Sequence, residues 1–314
     1  MRFDVLTLFP EMIEGACSHS IISRALEKEI INVNAINPRN FSKDKHRKVD
    51  DTPFGGGAGM VLMCQPYFDA FDSIEKDENT RVLLMSPQGR PFNQKMACEL
   101  AQCEHIVIMC GHYEGFDERI KEYTAAEEVS IGDFVLTGGE LPALCLIDSI
   151  SRNLDGCLGK IDSAHFDSFS DGLLEHPHYT KPREYQGMPV PDVLCGGNHA
   201  QINLWRRKQQ MIVTKKKRPD LYEKFKKNCK NKEDLKLLNE VRTYPILFGL
   251  ESQANFDHNK LANVSTMPLK PQFCIPQALP ENELEILYRG IGIDIDNISI
   301  TEIIAYHNDG LGKK

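Results

Sequence analysis

Ile106-Val107-Ile108-Met109-Cys110-Gly111-His112-Tyr113-Glu114-Gly115-Phe116-Asp117-Glu118-Arg119 is an unbroken apolar run that ends in a glycine loop. A short apolar run without polar alternation reads as a strand buried on both faces. Glycine lets the following backbone take positive φ and approach a ligand closely. The pattern recurs. Arg81-Val82-Leu83-Leu84-Met85 runs into Ser86-Pro87-Gln88-Gly89-Arg90. Ser130-Ile131-Gly132-Asp133 leads through Phe134-Val135-Leu136 to Thr137-Gly138-Gly139-Glu140. A further glycine loop is Val49-Asp50-Asp51-Thr52-Pro53-Phe54-Gly55-Gly56-Gly57-Ala58-Gly59-Met60. So many loops in one half of a chain exceed what turns alone require. They point to a site built largely from main chain.

Working outward, strands alternate with helices over the first half. Residues 3–9, 30–36, 81–85, 106–110 and the short 134–136 read as strands. Residues 18–29, 66–74, 93–102 and 141–152 read as helices. Pro10 stops the first strand, and Pro142 sits in a helix first turn, where proline is tolerated. Such alternation predicts an α/β domain with a mostly parallel sheet. The polar stretch 155–171 has no period and reads as a linker. Helices near 199–212, 219–227 and 232–241 predict a small helical domain. Beyond it, prolines at 268, 271, 276 and 280 precede possible helices near 281–289 and 301–307.

The 314 residues are 41% hydrophobic, enough for a sizeable core, and carry a net charge of −8. The whole chain is therefore no polycation, but its charge is unevenly placed. Between Trp205 and Lys232 there are twelve Lys and Arg against Asp220 and Glu223 only. A smaller basic cluster, Lys43, Lys45, Arg47 and Lys48, precedes the loop at Gly55. No apolar run reaches membrane-span length, and the N-terminal run is too short for a signal peptide. The ten cysteines form no CxxC pair, which predicts a reduced, cytoplasmic protein with buried thiols.

Several motifs carry two readings. The Gly55 loop lacks the Lys-Ser/Thr of a Walker loop and the strand-to-helix setting of a dinucleotide loop. It is either a loop that closes on substrate or a mobile turn. Asp167, in the polar linker, is a helix cap or solvated charge on one reading and a general base on the other. Arg152, ending an apolar helix, complements the helix dipole or stabilises developing negative charge. His176, His178 and His199 lack the spacing of a metal site. The cations Lys215, Lys216, Lys217 and Arg218 suit phosphate contacts. Trp205 reads as core rather than as a stacking platform.

Taken in order, these segments resemble the bacterial tRNA (guanine-N1)-methyltransferase family, TrmD, of the knotted SPOUT class. The resemblance covers about residues 1–238. It rests on Leu8-Phe9-Pro10-Glu11-Met12, Asn37-Pro38-Arg39, Asp44-Lys45-His46, Val49-Asp50-Asp51, GGGxGM at 55–60, Ser86-Pro87-Gln88-Gly89 and Cys110-Gly111-His112-Tyr113-Glu114-Gly115. It continues with Ser130-Ile131-Gly132-Asp133, Leu136-Thr137-Gly138-Gly139-Glu140-Leu141-Pro142, Asp167-Ser168-Phe169, Asp171-Gly172-Leu173-Leu174, Pro177-His178-Tyr179-Thr180 and Trp205-Arg206. The chain departs from the family pattern at His112, Phe134 and Ala58, where relatives carry Arg, Tyr and Pro.

The resemblance implies methyl transfer from S-adenosylmethionine to N1 of guanosine 37 in tRNA, 3′ of the anticodon, which preserves reading frame. The alternative is an RNA-binding protein with a degenerate, non-catalytic methyltransferase domain. It implies a SPOUT-type parallel sheet with a deep C-terminal trefoil knot, an exception to unknotted topology, over 1–158. A linker (159–176), a helical tRNA-binding domain (177–241) and an extension (242–314) follow. It implies a homodimer whose sites are shared between subunits, and Mg2+ dependence. By the same resemblance the cofactor meets Met85, Ser86, Pro87, Gln88 and Gly89, then Gly111, Tyr113 and Gly115, then Ser130, Ile131, Gly132, Phe134 and Leu136, then Gly138, Gly139 and Pro142. Asp167 is the general base, Arg152 the cation for the guanine O6 side, and Glu114 a supporting carboxylate. Asp50 reads the preceding guanosine, and Lys215, Lys216, Lys217 and Arg218 hold tRNA.

Overall fold

A computed structural model describes residues 1–158 and 167–242. The extension expected after residue 242, and linker residues 159–166, lie outside the described residues. The chain divides into two compact units, Met1–His178 and a second that begins at Tyr179.

In the first unit the elements run β1 (Arg2–Leu6), α1 (Pro10–Cys17), α2 (Ser20–Glu27), β2 (Asn32–Ile36), β3 (Asp50–Asp51), β4 (Val61–Leu62), α3 (Cys64–Asp72), β5 (Arg81–Pro91), α4 (Gln94–Leu100), β6 (His105–Met109), α5 (Glu118–Thr124), β7 (Glu127–Ser130) and α6 (Glu140–Ser151). Five strands form one parallel sheet in the order β2-β1-β6-β5-β7. Side chains alternate across a strand, and both faces are covered. Ile106 and Ile108 pack with Phe3, Val5 and Leu83 against Ile13, Ile22, Leu100 and Ile147. Val107 and Met109 pack with Leu6 and Leu84 against Tyr67, Phe71 and Ile120. That two-sided burial is why the β6 run shows no polar alternation. The antiparallel pair β3–β4 lies apart from this sheet and carries the Gly55 loop between its strands.

Three expectations need correction. Pro10 does not end the first strand, which closes at Leu6; it occupies the first turn of α1, where its missing N–H costs no hydrogen bond. Residues 134–136 are not a strand, and Phe134 and Val135 are 53% and 82% exposed. The fifth strand is instead β7, which begins with two acids. Those acids are compensated locally. Arg81 and Arg90 reach Glu127, and Lys121 reaches Glu128 at 3.4 Å. On an edge strand such pairing replaces apolar pattern, so periodicity misses it.

In the second unit a two-residue hairpin, β8 (Glu184–Tyr185) and β9 (Met188–Pro189), precedes α7 (Asp192–Cys195), α8 (His199–Lys217), α9 (Pro219–Asn228) and α10 (Lys232–Arg242). The Asn198 side chain caps α8 by accepting from Gln201 N, and Pro219 starts α9. Buried Ile202, Met211, Tyr222, Leu237, Leu238 and Val241 form its small core. Arg207 clamps Asp234 with two 2.8 Å hydrogen bonds, which joins α8 to α10. Trp205, expected in the core, is half-buried, with its ring 6.4 Å from Tyr179.

Candidate active site

The carboxyl ends of β6, β5 and β7 lie side by side, and their loops enclose a cavity of about 360 Å³. Crevices at the carboxyl ends of parallel strands are the usual ligand sites of open α/β sheets. The volume falls in the small-molecule range.

The first wall is a bulge. Met85 and Arg90 both pair with Val129, so residues 86–89 are pushed out between them. Met85, Ser86, Pro87 and Gln88 line the cavity; Gly89 does not. A Cβ on Gly89 would collide with the backbone of Glu128 and Val129. Its glycine serves the seating of the bulge on β7.

The second wall is the turn after β6. Gly111, His112, Tyr113, Glu114, Gly115 and Phe116 line it. Gly115 N donates to His112 O at 3.0 Å, and Tyr113 takes φ 58° to allow the turn. Glu114 N donates to Met60 O at 3.0 Å, and Leu62 N donates to Gly115 O at 2.9 Å. The turn is thereby tied to the end of the Gly55 loop. The Glu114 side chain lies over Gly59, where any Cβ would strike it.

The third wall runs from β7 into α6 through Ser130, Ile131, Gly132, Phe134, Leu136, Gly138, Gly139 and Pro142. Ser130 Oγ donates to Gly132 O at 3.0 Å. Gly139 N donates to Gly111 O at 2.9 Å, and a Cβ on Gly139 would press into the Cys110 and Gly111 backbone. All the expected cofactor residues except Gly89 thus stand on one cavity. Its acidic groups differ in their partners. Glu118 and Glu128 share Lys121 at 2.7 and 3.4 Å, whereas Glu114 has no cation partner among the described residues.

Arg152 and Asp167 stand together but not on this wall. Arg152 caps the C-terminus of α6 and donates from Nη2 to Asp167 Oδ2. Asp167 opens a turn in which Ser170 Oγ donates to Asp167 O at 2.8 Å, anchored by buried Leu173. Both charged side chains are about one-third exposed, at 39% and 34%. Asp50 is half-buried in β3. Its neighbour Asp51 pairs with Lys48 at 3.0 Å, and that hydrogen bond holds the Asp51 carboxyl below its ordinary range.

The four expected tRNA cations are not equivalent. Lys215 Nζ donates to Val241 O at 2.9 Å, and partial burial lowers its pKa; it ties α8 to α10. Arg218 clamps Asp220 at 2.8 and 2.6 Å. Lys216 is half-buried, and Lys217 is exposed. Arg206, Lys224 and Lys227 are also exposed on this unit, although reading the lysine run alone passes over them. His176 and His178 lie 4.5 Å apart, with His178 held by Glu175 at 2.8 Å. Among the described residues no group of three His, Cys, Asp or Glu could hold a metal.

Sequence reasoning also missed Glu140. It is 1% exposed behind the cavity and hydrogen-bonded to Thr7. An acid starting a helix ordinarily signals only dipole compensation, and its partner lies 133 residues away, so no local spacing announces it.

The family described as "tRNA (Guanine-1)-methyltransferase TrmD" matches residues 1–224. A tRNA (guanine-N(1)-)-methyltransferase of Staphylococcus epidermidis is 57% identical over 235 residues, covering 75% of this chain and 96% of the relative. Like-named proteins of Staphylococcus carnosus and Desulforamulus reducens are 56% and 50% identical. They cover 77% and 80% of this chain and 98% and 99% of themselves. With that agreement spanning the sheet, the three-walled cavity and most of the helical unit, the chain belongs to the tRNA (guanine-1)-methyltransferase TrmD family.

Proposed function

We propose that this protein transfers a methyl group from S-adenosylmethionine to N1 of guanosine 37 in tRNA. The observation that carries the reading is the glycine-walled cavity at the ends of β5, β6 and β7, in a chain matched to the family over residues 1–224. Its apolar surfaces, including Leu84, Ile131, Leu136 and Pro142, suit an adenosine ring. Its backbone groups suit the polar edges of the cofactor. When bound there, S-adenosylmethionine supplies an electrophilic methyl on a sulfonium.

The chain's own residues then account for the acceptor. Guanine N1 carries a proton at neutral pH and cannot attack until it leaves. Asp167 accepts that proton, and the negative charge moves from the carboxylate to the guanine O6 side. The Arg152 guanidinium, which faces Asp167 beforehand, faces that new charge instead. The cavity walls would hold the cofactor against N1, where it would give up its methyl and would keep the electron pair of that bond on sulfur. Placing a cation where charge develops is among the larger catalytic effects. Glu114 supports the site from the cavity wall. Mg2+ takes one or two carboxylates plus waters and substrate oxygens. Glu114, on the cavity wall, would supply such a carboxylate.

The cavity carries Glu114 but neither Arg152 nor Asp167. A homodimer in which one subunit's pair completes its partner's cavity supports all three roles. Exposed Phe134, Val135 and Leu141 near the cavity favour such an interface. The deep trefoil knot belongs to the same reading, and the close backbone approach of Gly139 to Cys110 and Gly111 is compatible with it. Asp50 reads the base before guanosine 37, and the exposed cations of α8 and α9 hold phosphates. The expected boundaries stay part of this reading: methyltransferase domain to 158, linker to 176 and tRNA-binding helices to 241. A cytoplasmic setting fits a tRNA substrate and the nine free cysteines among the described residues, although only Cys17, Cys110 and Cys157 of these are buried as expected. No helix among those residues is long and apolar enough to cross a membrane. The degenerate-domain alternative has no observation in its favour.

The test is transfer of labelled methyl to tRNA transcripts with guanosine or adenosine at position 37. Label confined to the guanosine transcript, at N1, supports the reading. Label on both, or on neither, overturns it.

A further inference from the structure

Glu140 is an ionisable side chain that is 1% exposed and that none of the steps above uses. It is the first residue of α6. Its Oε1 accepts a hydrogen bond from Thr7 Oγ1 at 2.7 Å, and its Oε2 lies 3.5 Å from His112 Nε2. Thr7 follows β1, and its Oγ1 accepts in turn from Phe9 N at 3.0 Å. His112 stands in the turn after β6 and lines the cavity. One carboxyl group therefore links the ends of β1 and β6 to the start of α6.

The surroundings fit a group kept there for that link. A buried carboxylate is costly unless its oxygens have partners, and here each has one. The α6 N-terminus favours negative charge beside it. Gly138 leaves the necessary room, because a Cβ on it would overlap both Glu140 Oε2 and His112 Nε2. The backbone of His112 also bridges Gly138 directly. The His112 ring is confined by Phe9 at 4.9 Å and Tyr113 at 5.8 Å. Behind it, burial pushes the Cys110 thiol well up, and the Glu140 charge adds to the shift.

We propose that Glu140 is a positioning residue for the cofactor cavity, acting through His112 to hold the turn after β6 against Gly138. The proposal rests on the reading of this cavity as the S-adenosylmethionine site. It makes His112 the member that meets the cavity, and Thr7 the anchor that keeps the carboxyl group aimed.

The experiment is a double-mutant cycle on the full-length chain, with S-adenosylmethionine affinity measured by calorimetry. Glu140→Gln and His112→Gln should each weaken binding about tenfold, within the coupling range of contacting residues. The double variant should be no weaker than the worse single. Affinity for tRNA should not change in any of them. Additive losses, or unchanged cofactor affinity in Glu140→Gln, overturn the proposal. If Glu140→Gln does not fold, Thr7→Val removes one anchor and keeps the carboxyl group. It should weaken cofactor binding in the wild-type background and not in the His112→Gln background, and any other result overturns the proposal. A wild-type chain that binds tRNA but not S-adenosylmethionine instead removes the reading of the cavity itself, and this proposal with it.

Discussion

The two units present their candidate surfaces by opposite means. The cavity of the first unit is shaped in large part by backbone, held by close approaches that a single added methyl would disturb, as at Gly139. The second unit presents long cationic side chains on its helices, and several of these are already engaged, Lys215 with Val241 and Arg218 with Asp220. Main chain gives shape and fixed dipoles. Side-chain charge gives reach and a salt-sensitive attraction with little shape. Substitutions should therefore act differently in the two places: abruptly in the first, by small increments in the second.

The strongest challenge to this contrast is a side chain that matters on the first unit. Asp167→Asn should lower methyl transfer by roughly two to four orders of magnitude, the usual worth of a general base. Cofactor affinity should stay near wild type. Single-turnover rates with saturating tRNA and cofactor measure this, and wild-type rates would remove Asp167 from the role.

A smaller loss, on the order of 10²-fold in turnover, is expected for Arg152→Ala, because its proposed charge partner develops during the reaction. A change confined to tRNA affinity would make Arg152 a residue that only places the substrate.

Gly139→Ala tests the backbone half directly. The added Cβ meets Cys110 and Gly111 main chain, which cannot swing away. Overpacking of this kind typically costs about 1–3 kcal/mol. Thermal melting should show it, together with a loss of S-adenosylmethionine binding. The mirror experiment is Lys217→Gln with Lys224→Gln and Lys227→Gln. It should leave cofactor binding alone and flatten the salt dependence of tRNA binding by about 0.7–0.9 in log–log slope per lost phosphate contact. Adding Lys215→Gln should cost stability rather than slope, since its ammonium supports α10.

The smallest effect is expected from ending the chain after residue 242. The family match stops at 224, so turnover and the number of subunits per particle should match those of the full chain. An aggregated or monomeric product would tie the remaining residues to the fold.

Much of this was legible in the sequence because the central sheet is covered on both faces. Two-sided burial erases polar alternation in β5 and β6, and leaves short apolar runs that could hardly be anything else. The same logic hid β7, whose Glu127 and Glu128 are compensated by cations from β5 and α5. The apolar 134–136 segment misled in the other direction, since its side chains face a cavity and solvent rather than a core. Asp167 and Arg152 entered as a functional pair only through resemblance. Nothing in their spacing of 15 residues distinguishes an active pair from a helix cap and a solvated acid. Glu140 stayed invisible because its meaning lies in Thr7, 133 residues away in the sequence.

The bulge at residues 86–89 and the close approach of Gly139 to Cys110 and Gly111 have a consequence for chemical intervention. A synthetic ligand that competes for this cavity by pairing with its backbone would contact atoms that every amino acid shares. Point mutation has few ways to rewrite such a surface, and Gly89 and Gly139 cannot gain a side chain without striking neighbouring backbone. Escape from such a compound would arise more readily through lining side chains, such as the exposed Phe134 and Val135.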